Sequence, residues 1–144
     1  MALPVEMIKR AIGTAPSGAD ARRVVEIACL AVAADGHLAE EELHVLRVLC
    51  KELHVDIRAV DEVLAMGSRE DRLDRLRAVG GAFESDAAKA LAYKMTVLTA
   101  VADLATQDEE FEFDLDVQEA LGLDSGLADE LANQVHEALT PPES

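Results

Sequence analysis

The residues of this sequence best suited to chemistry are four carboxylates that recur at one spacing in two places. Asp35 and Glu42 lie seven residues apart, and so do Asp103 and Glu110. Carboxylate oxygens are preferred ligands of hard divalent cations such as calcium, magnesium and manganese. These four residues are therefore the candidate metal ligands. In a competing, structural interpretation, Asp35 and Asp103 close Asx-type turns by accepting hydrogen bonds from loop amides.

An EF-hand loop is not a good description of either pair. With Glu42 at the last, bidentate position of such a loop, the two leading acidic positions would be Ala31 and Ala33. In the second copy they would be Thr99 and Val101. A calcium loop without its first two carboxylates should bind weakly if at all, so we do not expect an EF-hand.

The recurring carboxylates belong to a longer match between two segments. Residues 29–62 align with residues 97–130 at a constant offset of 68, with 9 identities in 34 positions and no gap. The two predicted units cover about 29–64 and 97–132. Such a match predicts a duplicated structural unit and an internal pseudo-twofold arrangement.

The elements that must position these residues are predicted to be helices throughout. Only 3% of the residues are aromatic while 50% are apolar, so the core must consist of Ala, Leu and Val, which favours close-packed helices. We predict an all-α, single-domain bundle of about 7–8 helices, with residues 1–18 as a first helix and linker and residues 19–140 as the core. The predicted helices are about 4–13, 19–34, 40–53, 57–64, 69–79, 85–104, 109–121 and 124–139. Asp56, Ser68 and Asp124 are the predicted N-caps of the fourth, fifth and eighth of these helices.

Residues 111–117 contain a conflicting signal. Apolar and acidic residues alternate strictly from Phe111 to Val117, which is typical of a half-buried strand. We predict a helix because the aligned segment of the first unit has a helical apolar stripe. Phe111 and Phe113 are predicted to lie in the core, the alternative being exposed aromatics in an acidic groove.

Charge is distributed unevenly along the chain. The net charge is −16, yet residues 1–94 carry 13 basic and 16 acidic residues, whereas residues 95–144 carry 13 acidic residues and no Lys or Arg. This imbalance disfavours nucleic acid and anionic lipid as partners and favours cations and basic proteins. The sequence shows neither a signal-peptide pattern nor about 18 successive uncharged apolar residues, which predicts a cytoplasmic protein without direct membrane insertion.

The densest basic cluster lies on the predicted helix over 69–79. Either these side chains pair with acids of the same helix, or they contact the acidic second half or a partner. The cluster consists of Arg69, Arg72, Arg75 and Arg77, and the neighbouring acids are Glu70, Asp71 and Asp74.

No catalytic constellation is visible in the sequence. It contains no phosphate-binding glycine loop, nucleophile elbow or zinc-protease motif. Cys29 and Cys50 are expected to be reduced core thiols. Cys50 and His54 have the spacing of a metal pair, but no second pair completes four ligands.

The order of these motifs resembles the TerB family, named for tellurite resistance and related to the N-terminal domain of the co-chaperone DjlA. The resemblance covers about residues 20–140 and is carried by Ala34-Asp35-Gly36, the seven-residue Asp-to-Glu spacing and Leu121-Gly122-Leu123. The chain departs from the family pattern at Leu104, which replaces the turn glycine, and at the first Leu-Gly-Leu junction, where His54 and Asp56 stand. The resemblance implies an all-helical, pseudo-symmetric cytoplasmic protein with a role in metal-linked or other stress response. Metal binding in this family would map onto Asp35, Glu42, Asp103 and Glu110.

Three functions are compatible with these observations. The first is a non-enzymatic helical adaptor or sensor with protein partners, basic or membrane-associated stress-response proteins among them, and a divalent cation as its candidate ligand. The second is a metal-dependent hydrolase, which requires the four carboxylates to converge. The third is an acidic scaffold that binds a basic or amphipathic partner helix near Phe111 and Phe113.

Overall fold

A computed structural model shows that the chain folds into packed α-helices. The structure describes the backbone of residues 5–13, 16, 18–33, 40–65, 68–103 and 108–139, and their side chains except those of 41, 69, 100–103, 108–113 and 139. Eight helices and no strand occur within these ranges, which confirms the predicted all-α class. The helices are α1 (Val5–Ile12), α2 (Ala19–Ala33), α3 (Glu40–Leu53), α4 (Arg58–Leu64), α5 (Arg69–Gly80), α6 (Asp86–Asp103), α7 (Asp108–Leu121) and α8 (Ser125–Leu139).

Side-chain caps fix the starts of α5 and α8. The Ser68 hydroxyl accepts a hydrogen bond from the Asp71 amide at 3.0 Å, and Oδ1 of Asp124 accepts one from the Leu127 amide at 2.8 Å. Each cap satisfies one of the amides that the first turn of a helix leaves without an intrahelical partner. Both caps confirm the sequence prediction.

The start of α4 differs by one residue from the prediction. Asp56 was the expected cap, but the cap residue is Ile57, which offers no side-chain hydrogen bond. Asp56 instead accepts a hydrogen bond from the Arg58 amide at 2.9 Å, two residues along the chain. The Asp56 side chain therefore closes an Asx-type turn just before the helix.

Residues 111–117 lie within the helix α7, so the helical prediction for this segment is confirmed. Val117 and Leu121, four residues apart, are both buried, as one face of a helix requires. The predicted burial of Phe111 and Phe113 falls on side chains outside the described ones.

Two helices, α2 and α6, form the centre of the bundle. They pack extensively against each other, and α2 also contacts α3, α4, α5 and α7, while α6 contacts α1, α3, α7 and α8. All residues from Val24 to Val32 are buried, because a central helix is covered on every side. One core receives side chains from all eight helices, among them Ile8, Leu46, Val60, Leu76, Met95, Val117 and Leu131.

Several local features recur at the offset of 68 found in the sequence. The bounds of α3 and α7 differ by 68 residues at both ends. After α3 the Val55 amide donates to the Cys50 carbonyl, and after α7 the Leu123 amide donates to the Gln118 carbonyl, each at 2.9 Å. This is the bond that closes a helix in a Schellman motif.

Packing partners follow the same correspondence. The helix α2 contacts α3, α4 and α7, and α6 contacts the corresponding α7, α8 and α3. These observations support the predicted duplication of residues 29–64 and 97–132, which stays a prediction. None of the helices in the described parts of the chain has the length and apolarity needed to cross a bilayer.

Candidate functional site

Three of the four predicted metal ligands lie near helix ends. Asp35 lies outside the described residues. Asp103 is the last residue of α6 and Glu110 the third residue of α7, but the side chains of both lie outside the described ones. Glu42, the third residue of α3, is the member of the set whose side chain is described. Among the described side chains no group of three or more His, Cys, Asp or Glu has an arrangement that could hold a metal ion.

Glu42 is a carboxylate inside the core. Its side chain is 0% exposed, although charged groups are rarely buried unless they are partnered or coordinate a metal. The third residue of a helix lies at the positive end of the helix dipole, next to amides that have no intrahelical acceptor. This position favours a carboxylate, and Glu110 occupies the equivalent position in α7.

A second buried carboxylate, Glu26, joins three helices. Its Oε1 lies 2.6 Å from Nη2 of Arg75 on α5 and 3.6 Å from Nε of Arg22 one turn earlier on α2. Arg22 reaches in turn to Glu62 of α4 at 2.9 Å. This network was not predicted from the sequence. Its signal is a lone acid within the otherwise apolar run 24–32 of α2, which needs a cationic partner once buried.

The arginine cluster of α5 therefore divides between two roles. Arg77 lies 3.9 Å from Asp74 of the same helix, as the first interpretation predicted. Arg75 instead anchors α5 to the centre of the bundle through Glu26.

Asp20 ties the start of α2 to the loop before α6. Its carboxylate accepts hydrogen bonds from the amides of Glu84 and Ser85, both at 3.1 Å, and from Nη1 of Arg23 at 2.8 Å. Burial alone would raise the pKa of this carboxyl, but these hydrogen bonds outweigh burial and hold the pKa below its usual value.

A polar network connects α6 to α7. The Tyr93 hydroxyl donates to Oδ1 of Asp114 at 2.9 Å, and Nε2 of Gln118 donates to the same oxygen at 2.6 Å. Burial raises the pKa of the Tyr93 hydroxyl above its usual value, and the negative charge of Asp114 raises it further. The hydroxyl therefore stays protonated and acts as a hydrogen-bond donor, not as a base.

Both cysteines are unsuited to nucleophilic chemistry. Cys29 and Cys50 are buried free thiols, as predicted. Burial raises the pKa of both, that of Cys50 to about 11, so the reactive thiolate form is scarce at neutral pH. His54, the other half of the possible metal pair, is exposed and has a positive φ of 57°.

A groove of about 250 Å³ lies between α5 and α7, and we refer to it as the α5–α7 groove. Leu73, Leu76 and Arg77 line it from α5, and Asp116, Glu119 and Ala120 line it from α7. The two helices approach closely next to it, because a Cβ placed on Gly80 would lie 2.7 Å from the Ala120 carbonyl oxygen.

A second groove, of about 420 Å³, lies where the linker before α2 meets the turn between α3 and α4. It is lined by Pro16, Gly18, Ala21, Arg22, Leu53, His54, Val55 and Asp56. The guanidinium of Arg22 is already engaged by Glu26 and Glu62, so it does not offer a free cation to a ligand.

The helices α7 and α8 and the turn between them carry exposed acids, and each of the two helices also carries an exposed leucine. Leu115 is 52% exposed and Leu127 38% exposed. The exposed acids of this surface are Glu119, Asp124, Asp129, Glu130 and Glu137. None of the described acids here forms a salt bridge with Lys or Arg.

Comparison with known proteins adds no further assignment, because the chain matches no family model, no curated protein and no solved structure. The function must therefore be argued from the residues of this chain.

Proposed function

We propose that this chain is a non-enzymatic helical adaptor that binds a basic partner protein through its acidic second half. The observation that carries the proposal is that α7 and α8 carry exposed acids with no Lys or Arg partner among the described side chains, together with the exposed Leu115 and Leu127. Unpaired acids attract a cationic partner from a distance, and exposed apolar side chains supply the area that is buried on contact.

The buried groups support a binding role over a catalytic one. Tyr93, Cys29 and Cys50 all have pKa values raised by burial, so none is activated as a base or nucleophile. These raised pKa values support the adaptor part of the proposal. The TerB-like order of motifs supports the remainder, a cytoplasmic protein of the TerB type in a metal-linked or other stress response.

A binding measurement tests the adaptor proposal. The probe is a synthetic leucine–lysine peptide with its leucines along one helical stripe, labelled for fluorescence anisotropy. The matched control is the same peptide with glutamate in place of lysine. We expect the lysine peptide alone to bind, and to bind more weakly as salt is raised, because the screening length falls to about 8 Å at 0.15 M ionic strength. Equal binding of both peptides, or of neither, would refute the proposal.

Glu42 favours a second candidate function, a divalent-cation sensor. A fully buried carboxylate that the repeat predicts to recur at Glu110 has the chemistry of a hard-cation ligand, with Asp35 and Asp103 as its predicted companions. The sensor proposal requires calcium, magnesium or manganese to stabilise the fold. At a concentration of about 100 times Kd, a cation bound only to the folded state adds about 2.7 kcal/mol to the free energy of unfolding.

Thermal unfolding with each cation tests the sensor proposal. We expect the stabilisation to disappear in Glu42→Gln, which keeps the size of the side chain, and to persist in Glu40→Gln at the exposed first residue of α3. Stabilisation that survives in Glu42→Gln excludes this ligand. Phosphoester hydrolysis by the cation-loaded protein, abolished by Glu42→Gln, would overturn the non-enzymatic assignment.

A further inference from the structure

The α5–α7 groove has the form that receives one face of a helix. The lining residues lie at positions i, i+3 and i+4 on both walls, so each wall is a single helical ridge. The half-buried side chains of Leu73 on α5 and Ala120 on α7 give it an apolar surface, above the buried Leu76. An amphipathic helix binds by packing its apolar stripe into an apolar groove.

The charges on the two walls indicate the charge of the partner that the groove would bind. Asp116 and Glu119 stand on the α7 wall and have no Lys or Arg partner among the described side chains. Arg77 is the one cation among the described lining residues, and it lies 3.9 Å from Asp74 of its own helix in a weak, exposed pair. Two carboxylates of the α7 wall thus stand against one arginine, which favours a cationic partner. Leu115, one turn before Glu119, extends the apolar surface beyond the groove.

The walls are held in place before any partner arrives. Contact between Gly80 and the Ala120 backbone fixes the spacing of α5 and α7, because nothing larger than hydrogen fits there. The pair of Glu26 and Arg75 fixes α5 to the centre of the bundle. A preformed groove loses little conformational entropy on binding, which favours affinity.

We propose that the α5–α7 groove is the docking site for a basic amphipathic helix of a partner protein. Apolar side chains of that helix pack on Leu73 and Ala120, and its Lys or Arg residues pair with Asp116 and Glu119. This inference rests on the proposed adaptor function and locates its binding site.

Two charge-reversal variants of equal net charge test the location. Asp116→Lys with Glu119→Lys changes the groove, whereas Glu6→Lys with Asp61→Lys makes the same change in charge on exposed positions of α1 and α4. With the leucine–lysine peptide as probe, we expect the groove variant to lose about tenfold or more in affinity. The control variant should lose no more than about threefold, through the reduced overall field.

Backbone amide shifts in the unaltered protein provide a second measurement that needs no variant. On addition of the peptide they should change mainly in residues 69–80 and 114–121. Equal losses of affinity in both variants, or shifts confined to α8, would overturn the groove as the docking site while leaving the adaptor function standing. Absence of binding by the unaltered protein would overturn both.

Discussion

The ion pair between Glu26 and Arg75 should couple the central helix α2 to α5 by a measurable free energy. Oε1 and Nη2 lie 2.6 Å apart, and the Glu26 side chain is 6% exposed while that of Arg75 is 41% exposed. The perturbation is a double-mutant cycle built from Glu26→Gln and Arg75→Gln, substitutions that remove charge and approximately keep length.

The expected free energies follow from the partial exposure of this pair, in which Glu26 is buried and Arg75 is partly exposed. Removing one partner of a fully buried pair costs about 3–5 kcal/mol, whereas exposed pairs contribute about 0–1 kcal/mol. Water reaches the guanidinium of Arg75, so we expect Glu26→Gln to cost about 2 kcal/mol. We expect a coupling free energy of about 1.5 kcal/mol between the two positions.

Urea unfolding followed by far-ultraviolet circular dichroism measures all four proteins of the cycle. The matched control is a cycle on Asp74 and Arg77, an exposed pair 3.9 Å apart on the same α5 helix, with an expected coupling below about 0.5 kcal/mol. A coupling between Glu26 and Arg75 no larger than that of the control would refute our account of how α5 is anchored.

Four further predictions concern the backbone and a carboxylate. His54 and Gly122 both have the left-handed φ that favours glycine. His54→Gly should therefore stabilise the protein by about 0.5–1 kcal/mol, and Gly122→Ala should destabilise it by about 1 kcal/mol. Thermal melts that show the opposite signs would contradict this. Gly80→Ala should cost about 1–3 kcal/mol through its clash with Ala120, although alanine is ordinarily the better helix former, so a stabilised variant would disprove the close contact. Asp20, whose pKa is held below its usual value, stabilises the fold above the unfolded-state pKa of about 3.9, and this stabilisation is lost as pH falls through the lower folded-state pKa. The advantage of the native protein over Asp20→Asn in urea unfolding should therefore shrink below about pH 4.

The fold class was accessible from the sequence because several local signals agreed. The scarcity of aromatic residues indicated helices, and Ser68 and Asp124 marked two helix starts within a residue. The helix predicted at residues 111–117, despite an alternating pattern typical of a strand, is confirmed. Val117 and Leu121 are buried one helical turn apart, so the helix is stabilised by these apolar contacts whatever the intervening acids favour.

The features that depend on tertiary contacts were harder to predict from the sequence. Glu26 and Arg75 are 49 residues apart, and nothing in the spacing of either identifies the other as its partner. The α5–α7 groove exists because Gly80 lets two helices touch at Ala120, a relation visible only after the chain has folded. Glu42 is the predicted metal ligand whose side chain is described, and its burial could not be predicted from a run of three successive acids.

The link between Tyr93 and Asp114 provides a natural optical reporter. The chain has one tyrosine and no tryptophan, so its phenolic absorbance and emission arise from a single ring held between α6 and α7. Circular dichroism in the far ultraviolet instead averages over all eight helices. Superimposable melting curves from the two signals would show that the acidic second half unfolds together with the remainder as one cooperative unit, and an earlier tyrosine transition would show that it opens first.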